Sequence, residues 1–465
     1  MRFDTLELSV LFLPGLLTLY FLIVAVGSLP WQRAGRVSHT GTTLLLLGAS
    51  VAFASAADFA ELLLGSVVLS YPMAAFIARL QDRKVPPLLV QMVLVVTVVL
   101  VLGVSVVTRP NVDGRMFAPP IGSVVTYLAI AYLVDVYRRQ ATTKDPLSAA
   151  LYLVQLPVLV AGPIVRYRDF ASQLTRRTLS LGAFTYGTRR IVLGLVKVIV
   201  FAGFLAGPAD AVFALPPESL STDAAWLGAA CFSLQLYFLF SGYSDVAIGL
   251  GRMLGFRYPE NFRRPYTADS VREFWRRWNI TLITWLRDYL YLPIAGRDDP
   301  TPRLSANIVL GFCLIGVWHG AGWTVLVWAV YSGFWLATEA VGLETRIQRL
   351  PSVLRHVYLL CVVGVGWVIL RADTVRAAIL FLRAMVGLGG LSALTAQDYM
   401  TPLLWVVLAA AVLFAGPLVP WISRWRVSVD AAVVAAMMMV MATAIFLWIG
   451  CVLVADSLRP RRLRQ

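Results

Sequence analysis

Charge is scarce in this chain. Of its 465 residues only 14% are Asp, Glu, Lys or Arg, while 59% are hydrophobic, which excludes an ordinary soluble domain, whose apolar and charged fractions are far more even. Histidine is scarcer still, with three residues, His39, His319 and His356. Cysteine is confined to Cys231, Cys313, Cys361 and Cys451, each inside an apolar stretch, with no CxxC and no Cys/His pair at metal-ligand spacing. Neither a disulfide framework nor a bound metal is therefore expected. Internal repeats and low-complexity stretches are absent too. A cleavable signal peptide is not expected, because residues 1–7 are nearly neutral and the apolar run after them is long enough to span a bilayer.

What the chain has is apolar runs. Full spans are expected at residues 8–29, 42–57, 59–78, 87–108, 121–137, 186–206, 226–255, 323–341, 353–369, 402–421 and 430–454. That makes about eleven crossings at roughly 20 residues each. The fold class is all-α: a polytopic transmembrane helical bundle, read as one integral-membrane domain over residues 1–465. Residues 149–161 are too short to cross and run into AGPIVRYRDF, where Gly162, Pro163, Arg166 and Arg168 break the pattern. A tilted or re-entrant segment buried in protein is expected there.

The formal net charge of +15 sits in short groups between apolar runs and not on one continuous face, so it points to loops beside a membrane and away from nucleic acid. Arg33 and Arg36, Arg83 and Lys84, Arg138, Arg139 and Lys144, and the tail RPRRLRQ fall on one side, and Asp58 and Glu61 on the other. By the positive-inside rule the basic side is cytoplasmic, with the N-terminus outside and the C-terminus inside. A multi-pass protein of the cell membrane follows, in contact with lipid.

Two pieces carry the polar residues of most interest, residues 272–290 (REFWRRWNITLITWLRDYL) and residues 316–323 (GVWHGAGW). A histidine in an apolar run is costly unless it has a partner or a chemical task. Small residues on each side of Trp318 and His319 allow close approach, and aromatic walls exclude water, so His319 suits a general base. Asn279, 40 residues earlier, supplies an amide able to orient the imidazole or to donate to an oxyanion. The alternative is a packed histidine and an asparagine capping a broken helix. In residues 257–303, Val271, Phe274, Trp275, Trp278, Leu282, Trp285 and Tyr289 recur at helical spacing, which predicts an amphipathic helix at an interface.

Five blocks resemble the membrane-bound O-acyltransferase family, particularly its bacterial branch of alginate O-acetyltransferases and the teichoic-acid D-alanyl transferase. They are YLVDVYRR (132–139), LVAGPIVRYRDF (159–170), LQLYFLFSGYSDVAIGLGRMLGFRYPENFRRPY (234–266), FWRRW through LRDYLYLPI, and GVWHGAGW. The resemblance implies a bundle of about eleven spans around a central tunnel, with His319 at the position of the family's catalytic histidine. Alginate-type members usually have WHIS where this chain has Trp278-Asn279-Ile280-Thr281, FDFSGYSD where Leu239 stands, and often a second histidine at Ser332. Asparagine paired with the histidine is common in the wider family.

The implied activity is acyl transfer from a cytoplasmic thioester, acetyl-CoA first, to a hydroxyl of a cell-envelope polysaccharide or to a secreted or membrane-anchored acyltransferase partner. No bound cofactor is expected. A lipid or small-molecule acceptor is the alternative, and a transporter the rival class, which would show paired broken helices in two related halves. Candidate substrate-binding residues are Gln235, Ser241, Tyr243, Asp245, Trp275, Arg276, Arg287 and Trp318. Asp245 and the Arg287-Asp288 pair either orient substrate or form buried ion pairs. Arg263, Arg264, Arg272, Arg276 and Arg277 bind either coenzyme A phosphates or anionic headgroups, whereas His39 and His356 read as solvated or snorkelling.

Overall fold

The computed structural model describes residues 13–27, 34–56, 60–107, 123–142, 145–159, 161–292, 308–313, 316, 322–389 and 395–416. Among the described residues the regular elements are all helical. The first half comprises α1 (Leu13–Gly27), α2 (Ala34–Ala56), α3 (Ala60–Asp82), α4 (Pro87–Val107) and α5 (Ser123–Tyr137), then the short α6 (Pro146–Leu153) and α7 (Tyr167–Thr175). Next come α8 (Leu181–Leu195), a π turn at Val196–Ala202, α9 (Gly203–Phe213) and α10 (Thr222–Met253). Two short helices follow, α11 (Val271–Arg277) and α12 (Ile280–Leu286); then α13 (Trp323–Thr338), α14 (Ser352–Arg371), α15 (Val375–Met385) and α16 (Pro402–Ala415).

Among the described residues, six stretches are long and apolar enough to cross a membrane: Ala60–Asp82, Pro87–Val104, Leu181–Phe213, Thr222–Met253, Trp323–Ile347 and Ser352–Arg371. Gly15–Val24, Thr40–Ala56, Val124–Tyr137, Pro146–Val158 and Pro402–Ala415 are shorter apolar helices. The span expected at 430–454 lies outside the described residues. Within 149–161, residues 151–159 are buried in protein as expected, with Tyr152, Leu153, Leu156, Val158 and Leu159 all essentially inaccessible. The basic ends of α3 and α5 meet at one end of the bundle, where Arg139 donates to the Gln81 carbonyl at 3.2 Å and Gln81 to the Tyr137 carbonyl at 2.7 Å.

Helix α10 joins two apolar cores. Its first half, with Phe232, Leu236 and Phe238, belongs to a core shared with α9, α11 and α13–α16, and its second half, with Val246, Ile248 and Leu250, to one shared with α1–α7 and α12. Against the second half lies α8, and the two approach through facing glycines. A Cβ on Gly187 would sit 2.5 Å from the Gly249 carbonyl oxygen and one on Gly249 2.6 Å from that of Gly187. Gly194 and Gly242 repeat the arrangement, at 2.6 and 2.7 Å. Between apolar helices in lipid, where solvophobic drive is lost, this backbone proximity is what makes dispersion contacts dense.

A line of charge runs along the same crossing, past the Gly194–Gly242 pair. Lys197 Nζ donates to Asp245 Oδ2 at 2.6 Å and to Ser241 Oγ at 2.8 Å; Arg190 Nε donates to Asp245 Oδ1 at 2.7 Å. Arg190 also grips Glu260, Nη1 to Oε1 at 2.8 Å and Nη2 to Oε2 at 2.5 Å. Both Asp245 oxygens are thus engaged inside the bundle. The glycines let the helices close, and the ions fix which faces meet.

The described part of the region 257–303, residues 257–292, departs from expectation. In place of one amphipathic interfacial helix the chain runs irregularly through a 3-10 turn at Pro265–Thr267, forms α11, breaks at Trp278-Asn279 and resumes as α12. Its aromatic stripe is not at an interface either, since Phe274, Trp275, Trp278, Leu282, Trp285 and Tyr289 are all at most 8% exposed. The helical spacing was real, but the face is covered by protein.

Gly242→Val should force the crossing apart, at a cost of about 1–3 kcal/mol, and lower the melting temperature of the purified protein, whereas Gly103→Ala, with nothing within 4 Å, should not. Equal melting of the two variants would refute the close approach. Asp245→Ala leaves Lys197 with only a hydroxyl partner, which for a buried pair costs about 3–5 kcal/mol. Folded yield by size-exclusion chromatography should collapse and be partly restored in the double variant Asp245→Ala/Lys197→Met; no restoration would argue against a structural pair.

Candidate active site

The break between α11 and α12 is built around Asn279. Its backbone is left-handed, φ 43° and ψ 53°, a conformation in which Asn, Asp and His are the enriched non-glycine residues. The alginate-type histidine and this chain's asparagine are therefore both compatible with the same backbone. Asn279 stands at the cap position of α12, but its side chain makes no capping hydrogen bond. The half-buried carboxamide is not consumed by holding the helix end.

Other groups hold the turn. On its far side Asn261, 3% exposed, accepts at its carbonyl from the Ile280 N–H at 2.9 Å and at Oδ1 from the Thr281 N–H and hydroxyl at 3.1 and 2.8 Å. Its Nδ2 donates to Ser244 Oγ at 3.1 Å. Thr281 Oγ1 in turn accepts from the Ile164 N–H at 2.9 Å, which ties in the AGPIVR segment. On the near side the Arg263 N–H donates to the Arg277 carbonyl at 2.9 Å. Further back, the buried Glu339 carboxylate accepts from the Val271 and Arg272 N–H groups at 2.8 and 2.7 Å and from the Tyr358 hydroxyl at 3.1 Å, which anchors the start of α11. An anion on these free N–H groups is favourable in itself.

One wall is aromatic. Trp278 stacks on Phe274 with centroids 5.5 Å apart and meets Phe262 edge-on at 5.2 Å; Trp275 meets Phe312 at 5.0 Å. Trp328 and Trp367 close the cluster. Beside it, Gly316 packs on α13, where a Cβ would lie 2.9 Å from that of Ala329, and Gly322 precedes the first residue of α13. Trp318 and His319, between those glycines in sequence, lie outside the described residues.

A cleft of about 450 Å³ opens on the other flank, where Arg166, Asp169 and Arg257 face Ile280, Thr281 and Thr284. Below it sits an ionic cluster centred on Asp288. Arg166 and Arg168 both reach its carboxylate, the latter at 3.2 Å, Arg287 Nε donates to it at 2.9 Å, and Arg138 donates to its carbonyl at 3.2 Å. Burial raises the Asp288 carboxyl pKa, but the hydrogen bonds and charges of Arg287 and Arg166 outweigh it and hold the group below the usual carboxylate range.

The expected site residues therefore separate. Asn279 and Trp275 share the broken-helix unit. Ser241 and Asp245 belong to the α8–α10 ion line, Arg287 to the Asp288 cluster, and Tyr243 to the second apolar core. Arg276 is largely exposed, 3.7 Å from Glu273. Gln235 Oε1 is buried without a hydrogen-bond partner among the described residues. Of the five arginines read as binding either coenzyme A phosphates or anionic headgroups, Arg272 pairs with Glu344 and both Arg276 and Arg277 with Glu273, while Arg263 and Arg264 are exposed. Asn261, Glu339 and Arg190 were not singled out; the only signals were an Asn inside the PENFRRPY block and a Glu inside an apolar run.

Comparison with known proteins identifies the family. Over 273 residues the chain is 44% identical to a probable alginate O-acetylase of Pseudomonas putida, covering 58% of this chain and 56% of that protein. The chain thus spans little more than half the length of the alginate relatives it matches. A peptidoglycan O-acetyltransferase of Helicobacter pylori is 31% identical over 381 residues, 72% of this chain and 71% of that protein. A teichoic acid D-alanyltransferase of Bacillus subtilis is 27% identical over 236 residues, 46% and 58% of the two chains. The family model for membrane-bound O-acyltransferases matches residues 12–369, more than three quarters of the sequence. The chain belongs to the membrane-bound O-acyltransferase family.

Proposed function

We propose that this chain is an acyltransferase of the cell membrane that moves an acetyl group from acetyl-CoA to a hydroxyl of a cell-envelope polysaccharide, directly or through a membrane-anchored or secreted partner. One observation carries the reading: Asn279 is held left-handed between two helices with its carboxamide unused for capping. The names of the alginate and peptidoglycan relatives support acetyl as the group and a glycan as the acceptor.

In this mechanism His319 takes the proton of the acceptor hydroxyl as its oxygen attacks the thioester carbonyl. Asn279 either orients the imidazole or donates to the oxyanion of the tetrahedral intermediate. Collapse breaks the carbon–sulfur bond, and the proton passes from the imidazolium to the departing thiolate, leaving an ester and free coenzyme A. Arg257 at the cleft supplies a cation for the phosphates of the donor, Arg166 being held by Asp169 and Asp288. The basic ends of α3 and α5 belong to the cytoplasmic face, the side on which such a thioester is available.

A lipid or small-molecule acceptor is the second reading. It draws on an apolar groove of about 670 Å³ between Val309, Leu310 and Cys313 on one side and Phe334, Ala337, Thr338 and Val341 on the other. Acetyl transfer by membranes supplied with labelled acetyl-CoA, with the label then traced to polysaccharide or to lipid extract, separates the two.

His319→Ala should fold and lose about 10²- to 10⁴-fold in rate; near-normal transfer would remove it from the mechanism. Asn279→Ala should lower turnover, by about 10²-fold or more for a lost oxyanion donor, with donor affinity little altered. Asn279→His restores the alginate-type residue at a backbone that accepts it, so partial activity is expected. Wild-type turnover in Asn279→Ala would reduce that residue to a helix break. Orientation is checked with a reporter cysteine beside Arg83: it should resist an impermeant thiol reagent in intact cells, and labelling there would invert the topology.

A further inference from the structure

We infer that Asn261 is the positioning residue for the Asn279 turn, setting its left-handed conformation from outside the two helices it joins. The inference rests on the role proposed for Asn279. Two of Asn261's polar atoms accept from the residues that follow Asn279, and a third fastens Asn261 to α10. The carbonyl takes the N–H of Ile280, the residue immediately after Asn279, and Oδ1 takes both the N–H and the hydroxyl of Thr281. Nδ2 is fastened to Ser244 on α10.

The geometry explains why an outside clamp is needed. A left-handed non-glycine residue is strained, at about 1–3 kcal/mol, and the first N–H groups of a helix have no intrahelical acceptor. The usual remedy is the cap residue's own side chain. Here that side chain makes no such bond, and Asn261 supplies acceptors to the N–H groups of Ile280 and Thr281 in its stead. The substitution leaves the Asn279 carboxamide to the reaction. With Arg263 N–H on the Arg277 carbonyl, the segment 261–263 pairs with both ends of the turn like a short two-bond bridge.

The clamp is rigid because its own base is rigid. Ser244 lies on α10 two residues from Gly242, at the glycine crossing, and Thr281 Oγ1 holds the Ile164 N–H. Asn261, Thr281 and Ser244 are 3%, 6% and 2% exposed, so water does not compete for these bonds. A tilt of the turn therefore requires breaking buried hydrogen bonds that have no substitute.

The test uses the full chain in membranes, with labelled acetyl-CoA, and hydrogen exchange by mass spectrometry on peptides covering residues 278–284. Asn261→Ala should lower kcat by about 10²-fold, as misplacement of a reacting group does, with the acetyl-CoA KM little changed, and should speed exchange of those peptides about tenfold. Asn261→Asp keeps the acceptor and should recover most of both. Where Asn261→Ala does not fold, Thr281→Ala, which removes one of the Oδ1 contacts, should move both readouts the same way. Unchanged exchange overturns the clamp. Wild-type kcat in Asn261→Ala beside a crippled Asn279→Ala overturns the positioning role while the Asn279 reading stands. Wild-type kcat in Asn279→Ala is instead the failure of that reading, and exchange then judges the clamp alone.

Discussion

The architecture depends on how closely α8 and α10 approach. Two glycine pairs bring the backbones together, and the pairing of Asp245 with Lys197 and Arg190 fills the space between them. Each part needs the other. Charges at this depth require short, well-directed contacts to offset desolvation, and a glycine contact alone would leave the helices free to slide. The crossing fixes α10, and α10 presents Ser244 to the loop on which the broken-helix turn rests.

Two kinds of rigidity meet at that turn. On the α11 side it is packing, with Trp275 and Trp278 in a cluster of rings. On the α12 side it is hydrogen bonding through Asn261 and Thr281. Packing sets position and tolerates small rotations, whereas paired buried polar groups set orientation. An amide asked to aim at a reacting atom needs both.

Much of this was legible in the sequence. Residue composition and the apolar runs place most of the helices within a few residues, and the five blocks identify the family. The break at Asn279 entered the sequence reading only as the alternative to a catalytic role, because Phe274, Trp278, Leu282 and Trp285 keep helical spacing across it and periodicity alone reads as one helix. Helix α15 was missed because it is short and its Arg376 and Arg383 interrupt the apolar pattern. Partners were the least legible. Arg190 and Lys197 are 55 and 48 residues from Asp245, and Asn261 acts on a turn about 20 residues away; sequence shows that a buried carboxylate needs a cation, not which one supplies it.

The π turn at Val196–Ala202 has a consequence for how the long rod from α8 to α9 serves two neighbours. A π turn holds one residue more than an α turn, so everything after it is rotated by about 100° relative to an uninterrupted helix. Before the turn, the phase of the rod is dictated by its glycines against α10. After it, Asp210 meets Arg371 of α14 at 2.8 Å, on a face an unbroken helix would direct elsewhere. The extra residue is a change of gear within a single rod, and it lets the two halves satisfy partners whose demands on helical phase do not agree.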